Sequence, residues 1–232
     1  MKSIIMLFLW ALGSPYFSSA QHWTKKINDL TNVLVAHPSR SAYDSLHFIV
    51  AEHYSELTDE QRHNIKNTLE KQTQWFFDRL CSDKEQGTKI TIKGHVLDVH
   101  NKPIANAQLS IYHADNMGNY APSDGALKRM SEGDPRLFGF VKTDNLGNYT
   151  FQTVRPASYP NKYNGRTIPQ HIHVQTSATG YKTQAVQMAF DDDLQMRDAY
   201  WRNWAKEQHF PVVTLKKEKN GLGYGVYDVV LY

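Results

Sequence analysis

From Ile90 onward the hydrophobic residues of the chain recur at every second position, and that period admits few folds. Ile90, Ile92 and, after Gly94, Val96 alternate with polar residues. Ala107, Leu109 and Ile111 resume the alternation beyond the turn-rich group at 98–103. A second hairpin signal, Thr143-Asp144-Asn145-Leu146-Gly147, leads into an apolar stretch at 149–154, and further runs follow at 186–190, 211–215 and 227–231. Each such strand has one apolar face to bury. Many of them, separated by turn chemistry with little helix between, bury those faces by stacking two sheets. The expected fold is mainly β, a β-sandwich spanning 89–232.

Upstream the period is helical. Trp23, Ile27, Leu30 and Leu34 share one face until His37-Pro38 ends the element, and Tyr43, Leu46, Ile49, Val50 and His53 share another. Thr58 and Gln61 have capping-box spacing, Leu57 can staple, and Ile65, Leu69, Phe76 and Leu80 line a third helix reaching about Cys81. Residues 21–88 therefore read as a small helical N-terminal region, closed by a polar linker at 83–89. Its five histidines, His22, His37, His47, His53 and His63, sit at spacings that suit helix faces in core or surface roles. Its apolar faces fit either a homodimer contact or an intramolecular lid.

Lys2, an apolar run from Ile4 to Leu12, a Gly-Ser-Pro break and Ser18-Ser19-Ala20 read as a cleavable secretory signal over 1–20. The mature chain is expected to begin near Gln21, secreted or periplasmic. The run is too short for a membrane span. Cys81 is the only cysteine, which leaves no internal disulfide, and it is read as a helix-packing residue. The net charge of +3 is spread along the chain, which argues against a nucleic-acid partner. The sequence holds neither a glycine-rich phosphate loop nor a nucleophile elbow.

His171-Ile172-His173-Val174 reads as a short strand in which both imidazoles leave on one face, half of a metal site. The sandwich pattern alone also admits a non-enzymatic reading. Gly94-His95-Val96, Pro103-Ile104, Thr143-Asp144 and Gly147-Asn148-Tyr149 resemble transthyretin-like and carboxypeptidase-regulatory-like binding or structural modules. A longer ordered series discriminates: Tyr112-His113-Ala114-Asp115, Gly118-Asn119-Tyr120, Asp134-Pro135, Phe138-Gly139, Arg155-Pro156, Tyr159-Pro160, His171-Ile172-His173, then Gln187 and Phe190-Asp191-Asp192-Asp193. In that order it resembles the intradiol ring-cleavage dioxygenases, the protocatechuate and catechol dioxygenase family, in an exported short-loop form, over roughly 89–232.

The resemblance implies a non-haem Fe(III) ion held by Tyr120, Tyr159, His171 and His173. It also implies cleavage of catechol-type rings by O₂ between the two hydroxylated carbons, giving muconic acids, with Tyr159 as the ligand that departs on substrate binding. The donor set suits that ion: free phenol has a pKa of about 10, so holding two tyrosinates at neutral pH calls for a strong Lewis acid rather than Ca²⁺ or Mg²⁺. Two departures stand out. The family arginine three residues before the first histidine is replaced by Ile168, with Arg166 as the nearby candidate for its catalytic charge. Tyr163 competes with Tyr159 for the departing position. Gln187 matches a pocket-lining glutamine. The run 191–193 reads as a solvated, capped turn, Tyr200-Trp201-Arg202-Asn203-Trp204 as a short helix packed on the sandwich, and the loop at 121–132 as the reader of ring substituents.

Overall fold

The structure, a computed structural model, describes residues 19–121, 134–161, 164–217 and 222–232. Its first three helices are α1 (Ser19–Ala36), α2 (Arg40–His53) and α3 (Asp59–Lys71). Ser39 caps α2 by accepting from the Ala42 amide, and Thr58 and Gln61 close the capping box of α3. Trp23, Ile27, Leu34, Leu46, Ile65 and Leu69 bury one another, together with Phe138 of the sheet region.

The strands are short, as the turn spacing requires. They are β1 (Phe77–Arg79), β2 (Lys89–Asp98), β3 (Gln108–His113), β4 (Leu137–Lys142), β5 (Asn148–Val154), β6 (Tyr159–Pro160), β7 (Thr167–Ile168), β8 (His171–Ser177) and β9 (Gln184–Phe190). After helix α4 (Ala199–Glu207) come β10 (Val212–Val213), β11 (Lys216–Lys217), β12 (Gly223–Val226) and β13 (Val229–Leu231). One sheet runs β1-β5-β2-β12-β11 with β13 also on β2, and the other runs β10-β9-β8-β3-β4. Ile90, Ile92, Val96 and Phe151 of the first meet Leu109, Ile111, Ile172, Val174 and Met188 of the second in one core. The fold is thus mainly β, a sandwich preceded by a small helical region.

The third helix stops at Lys71, ten residues short of the expected Cys81. Phe77–Arg79 is instead a strand, parallel to β5 from Phe77↔Thr150 to Arg79↔Gln152. The aromatic run Trp75-Phe76-Phe77 favours extended backbone, and Asp78 finds its partners only there. Its buried carboxylate accepts from Arg40 Nη2 (3.0 Å) and the Phe140 amide (2.8 Å). Burial pushes the Asp78 carboxyl above its ordinary value, against the pull of His47, Arg40 and the amides. Leu80 enters the sandwich core while Phe76 is left exposed. Cys81 is buried, but off any helix, against Ala51, Leu137 and Val154. Within the polar stretch 83–89, Glu85 takes a two-point ion pair from Arg136 (both 2.7 Å), and Arg136 also donates to the Ala51 carbonyl of α2 (2.9 Å), which ties the helices to the sandwich.

His47 is the core histidine expected of a helix face, its Nε2 donating to the Phe138 carbonyl (2.6 Å). No described helix is long and apolar enough to cross a membrane.

Candidate metal centre

Strand β8 has two environments on its two faces. Ile172 and Val174 enter the sandwich core, which turns His171 and His173 to the outer face of the sheet. Antiparallel pairing sets His173 between Tyr112 of β3 and Gln187 of β9. The Tyr112 ring stacks on the imidazole at 4.3 Å, 5° from parallel. His171 Nδ1 donates to the Pro169 carbonyl (2.8 Å), which leaves its Nε2 lone pair free to face outward. Burial and the neighbouring His171 and His113 push His173 down to about 3, and burial lowers His171 as well, so both imidazoles are neutral donors. His113 itself is buried through the sandwich, donating from Nδ1 to Ala114 O and accepting at Nε2 from Thr153 Oγ1 (both 2.6 Å).

Tyr120 arrives on the loop after β3, which Asp115 winds. One Asp115 oxygen accepts from the amides of Met117 (2.8 Å) and Asn119 (2.9 Å), and its backbone exchanges bonds with Gly118 and Asn119. Gly118 adopts φ +82°, and a Cβ there would lie 3.0 Å from Cβ of Tyr159 and 3.2 Å from the Ser158 carbonyl. Both the conformation and the contact call for glycine. Gly118→Val is expected to cost about 2 kcal/mol and to move Tyr120 and Tyr159 apart, seen as a lowered midpoint in urea unfolding together with weaker metal uptake.

Tyr159 arrives on β6, paired with Ile168 of β7. Its position relative to His171 is held by Asp193, which is 5% exposed rather than solvated. The carboxylate accepts from the Gln170 amide (2.6 Å), Ser158 Oγ (3.2 Å) and the Gln195 amide (3.1 Å), so it joins the residue before Tyr159 to the residue before His171. The other two acids of the run behave differently: Asp192 takes both guanidinium arms of Arg155, and Asp191 accepts from Thr214.

These elements bring four donor atoms together. Tyr120 Oη lies 2.9 Å from His173 Nε2, 3.3 Å from His171 Nε2 and 3.1 Å from Tyr159 Oη. His171 Nε2 lies 3.1 Å from His173 Nε2 and 3.4 Å from Tyr159 Oη. A first-row ion sits about 2.0–2.2 Å from nitrogen and oxygen donors, which separates neighbouring donors by about 2.8–3.5 Å. Among the described residues no group of three or more His, Cys, Asp or Glu side chains has the placing of a metal site, so an ion held here depends on the two phenols.

Gln187 and Tyr159 line a cleft of about 190 Å³ that opens beside His171. Arg166 is not among its walls: the guanidinium pairs with Asp198 (2.8 Å) and lies 4.3 Å above the Tyr200 ring. Tyr163 lies outside the described residues, as do residues 122–132 of the substituent-reading loop. Helix α4 packs Trp201 and Ala205 on the sheet as expected, and it also gives the cleft Tyr200, Trp201 and Trp204. Asp193 and Asp115 were not legible as site residues. Asp115 alone carried a local signal, an acid three residues before a glycine, repeated at Asp144-Gly147.

A family model described as a dioxygenase matches residues 64–231, starting within α3 and covering more than half of the chain. The chain belongs to the intradiol ring-cleavage dioxygenase family. Among its relatives are catechol 1,2-dioxygenase 2 of Acinetobacter lwoffii, 29% identical over 53% of this chain and 47% of that protein, and catechol 1,2-dioxygenase of Candida albicans, 33% identical over 43% and 36%. The chain thus spans about half, or less, of the length of the curated relatives it matches. Its fold resembles that of catechol 1,2-dioxygenase from Acinetobacter sp. ADP1 (TM-score 0.55, 18% identity, 91% of this chain and 77% of that one). It also resembles 3-chlorocatechol 1,2-dioxygenase from Rhodococcus opacus 1CP (0.53, 19%, 90% and 95%).

Proposed function

We propose that this protein is an exported, non-haem Fe(III) dioxygenase that opens catechol-type rings between the two hydroxylated carbons, consuming O₂ and releasing muconic acids. The observation that carries the proposal is the convergence of two phenol oxygens and two neutral imidazole nitrogens within 2.9–3.4 Å contacts, beside a cleft that Tyr159 and His171 line. Two hard, potentially anionic oxygens with two borderline nitrogens fit a trivalent iron, whereas structural zinc draws on thiolate, imidazole and carboxylate. Tyr120, Tyr159, His171 and His173 would hold the ion. Ferric iron bound there would supply Lewis-acid activation and a template for the two catechol oxygens.

The chain's own groups do the rest. Tyr159, partly exposed on its short hairpin, faces the cleft and is placed to accept a proton at Oη from an incoming catechol hydroxyl. Tyr120 is 2% exposed, and its carbonyl accepts from the Arg136 amide, so it stays in place. The Pro169 carbonyl keeps His171 in the tautomer that presents Nε2. Trp201 gives the cleft an apolar wall, and Gln187 lines it with a neutral amide. The described cleft lining contains no residue of α1, α2 or α3, which favours a subunit contact over a lid as the work of the helical region. Val33 and Val35, exposed on α1, are suited to that contact. The signal-like pattern over 1–20 supports the exported part of this reading.

The experiment is product analysis with isotopically labelled dioxygen and catechol. Both labelled atoms should appear in a ring-opened dicarboxylic acid. A yellow ring-opened aldehyde, or no oxygen uptake by iron-loaded protein, would refute the intradiol reading.

A further inference from the structure

The walls of the cleft bear on which catechol it takes. From β6 to β9 come Tyr159, Asn161, Ile168, His171 and Gln187, with Asn161 and Gln187 as neutral amides; from α4 come Tyr200, Trp201 and Trp204. Behind Ile168 and the two tryptophans a small recess continues between Pro169, Met196 and Phe210. The indoles of Trp201 and Trp204 meet edge to face at 5.6 Å, and Trp204 meets Phe210 at 4.9 Å, so the aromatic wall is braced by its own packing. No described residue lining the cleft or the recess is Lys, Arg, Asp or Glu. Arg166, two positions before Ile168, is engaged by Asp198 and by the Tyr200 ring.

From this geometry we infer that α4 is the specificity wall of the enzyme and that the preferred substrates are uncharged catechols carrying an apolar or aromatic extension, with carboxylated catechols selected against. The inference rests on the dioxygenase reading of the site. A catechol whose two oxygens sit at the donor cluster must direct its ring and para substituent along the cleft. An aryl group there gains contact with Tyr200 and Trp204. A carboxylate there meets indole and Ile168, and no described residue lining the cleft is a cation that could receive it. Ile168, opposite Tyr159 in the β6–β7 pair, lines the same cleft with an apolar side chain.

The test is an anaerobic titration of the iron-loaded protein, followed through its visible band, with four ligands: catechol, a catechol with a para-phenyl ring, protocatechuate and the methyl ester of protocatechuate. The ester should bind at least about tenfold more tightly than the acid, and the phenyl compound about tenfold more tightly than catechol. Tyr200→Ala and Trp204→Leu should each shrink the advantage of the phenyl compound, and Ile168→Lys should raise the affinity for the acid relative to the ester. The wild-type ligand series decides the question even where a variant folds poorly. Acid binding as tightly as ester, or a phenyl ring that brings no gain, overturns the inference while catechol binding leaves the dioxygenase reading standing. Failure of catechol itself to perturb the band defeats both.

Discussion

Replacing Tyr120 by phenylalanine is expected to lower iron affinity by about 100-fold or more and to abolish ring opening, while the metal-free fold loses only about 1 kcal/mol. The reason lies in how the phenol is placed. Its ring is 2% exposed and packs near Tyr112 and His173, so a phenylalanine ring fills the same space. What disappears is the one oxygen that stands within 3.3 Å of Tyr159 Oη and both imidazole Nε2 atoms at once. With no third His, Cys, Asp or Glu grouped there among the described residues, nothing compensates. Iron content by elemental analysis, set beside a thermal melt of the metal-free protein, checks both halves of the expectation. Near-normal iron content in Tyr120→Phe would show that the phenol is not a ligand.

Asp193→Ala is expected to destabilise the protein by about 3 kcal/mol and to weaken iron binding without touching a ligand. Three donors converge on that carboxylate, the amides of Gln170 and Gln195 and the Ser158 hydroxyl, and alanine leaves them all without it. The Gln195 bond caps a helical turn, while the other two fix the distance between the backbones that carry Tyr159 and His171. Asp193→Asn keeps the shape but turns one acceptor into a donor, and should fall between the wild type and alanine. Urea unfolding measures the stability cost. The intensity of the tyrosinate band per bound iron separates positioning from stability: a role confined to folding would lower the midpoint and leave the band unchanged.

The parts of this molecule that a local pattern encodes were legible in its sequence. Period two placed Ile172 and Val174 in the core and so set His171 and His173 on one face, and the capping pair Thr58 and Gln61 located α3. Spacing alone did not point to Tyr120 and Tyr159 as companions of those histidines. They lie 39 residues apart, one on a loop and one on a two-residue strand, and it was the ordered family series that singled them out. Features that depend on distant partners were misread. Phe76 and Leu80 have helical spacing with Ile65 and Leu69, but Phe77–Arg79 between them is extended because Asp78 meets Arg40 and β4, and because β5 offers a free edge. The run 191–193 looks solvated by composition, yet its third acid is buried because the backbone at Gln170 crosses it, a contact spanning 23 residues. Arg166 was legible as a nearby cation, whereas its capture by Asp198 and Tyr200 was not, since the N-cap and first turn of α4, distant in sequence, supply them.

The most direct test of the central claim is the visible absorption spectrum of the iron-loaded protein, with its iron content, before and after catechol is added without oxygen. The account predicts one iron per chain, a tyrosinate-to-Fe(III) charge-transfer band, and a shift of that band when catechol enters. A colourless protein that takes up no ferric iron would contradict it, and would leave the sandwich as a binding module.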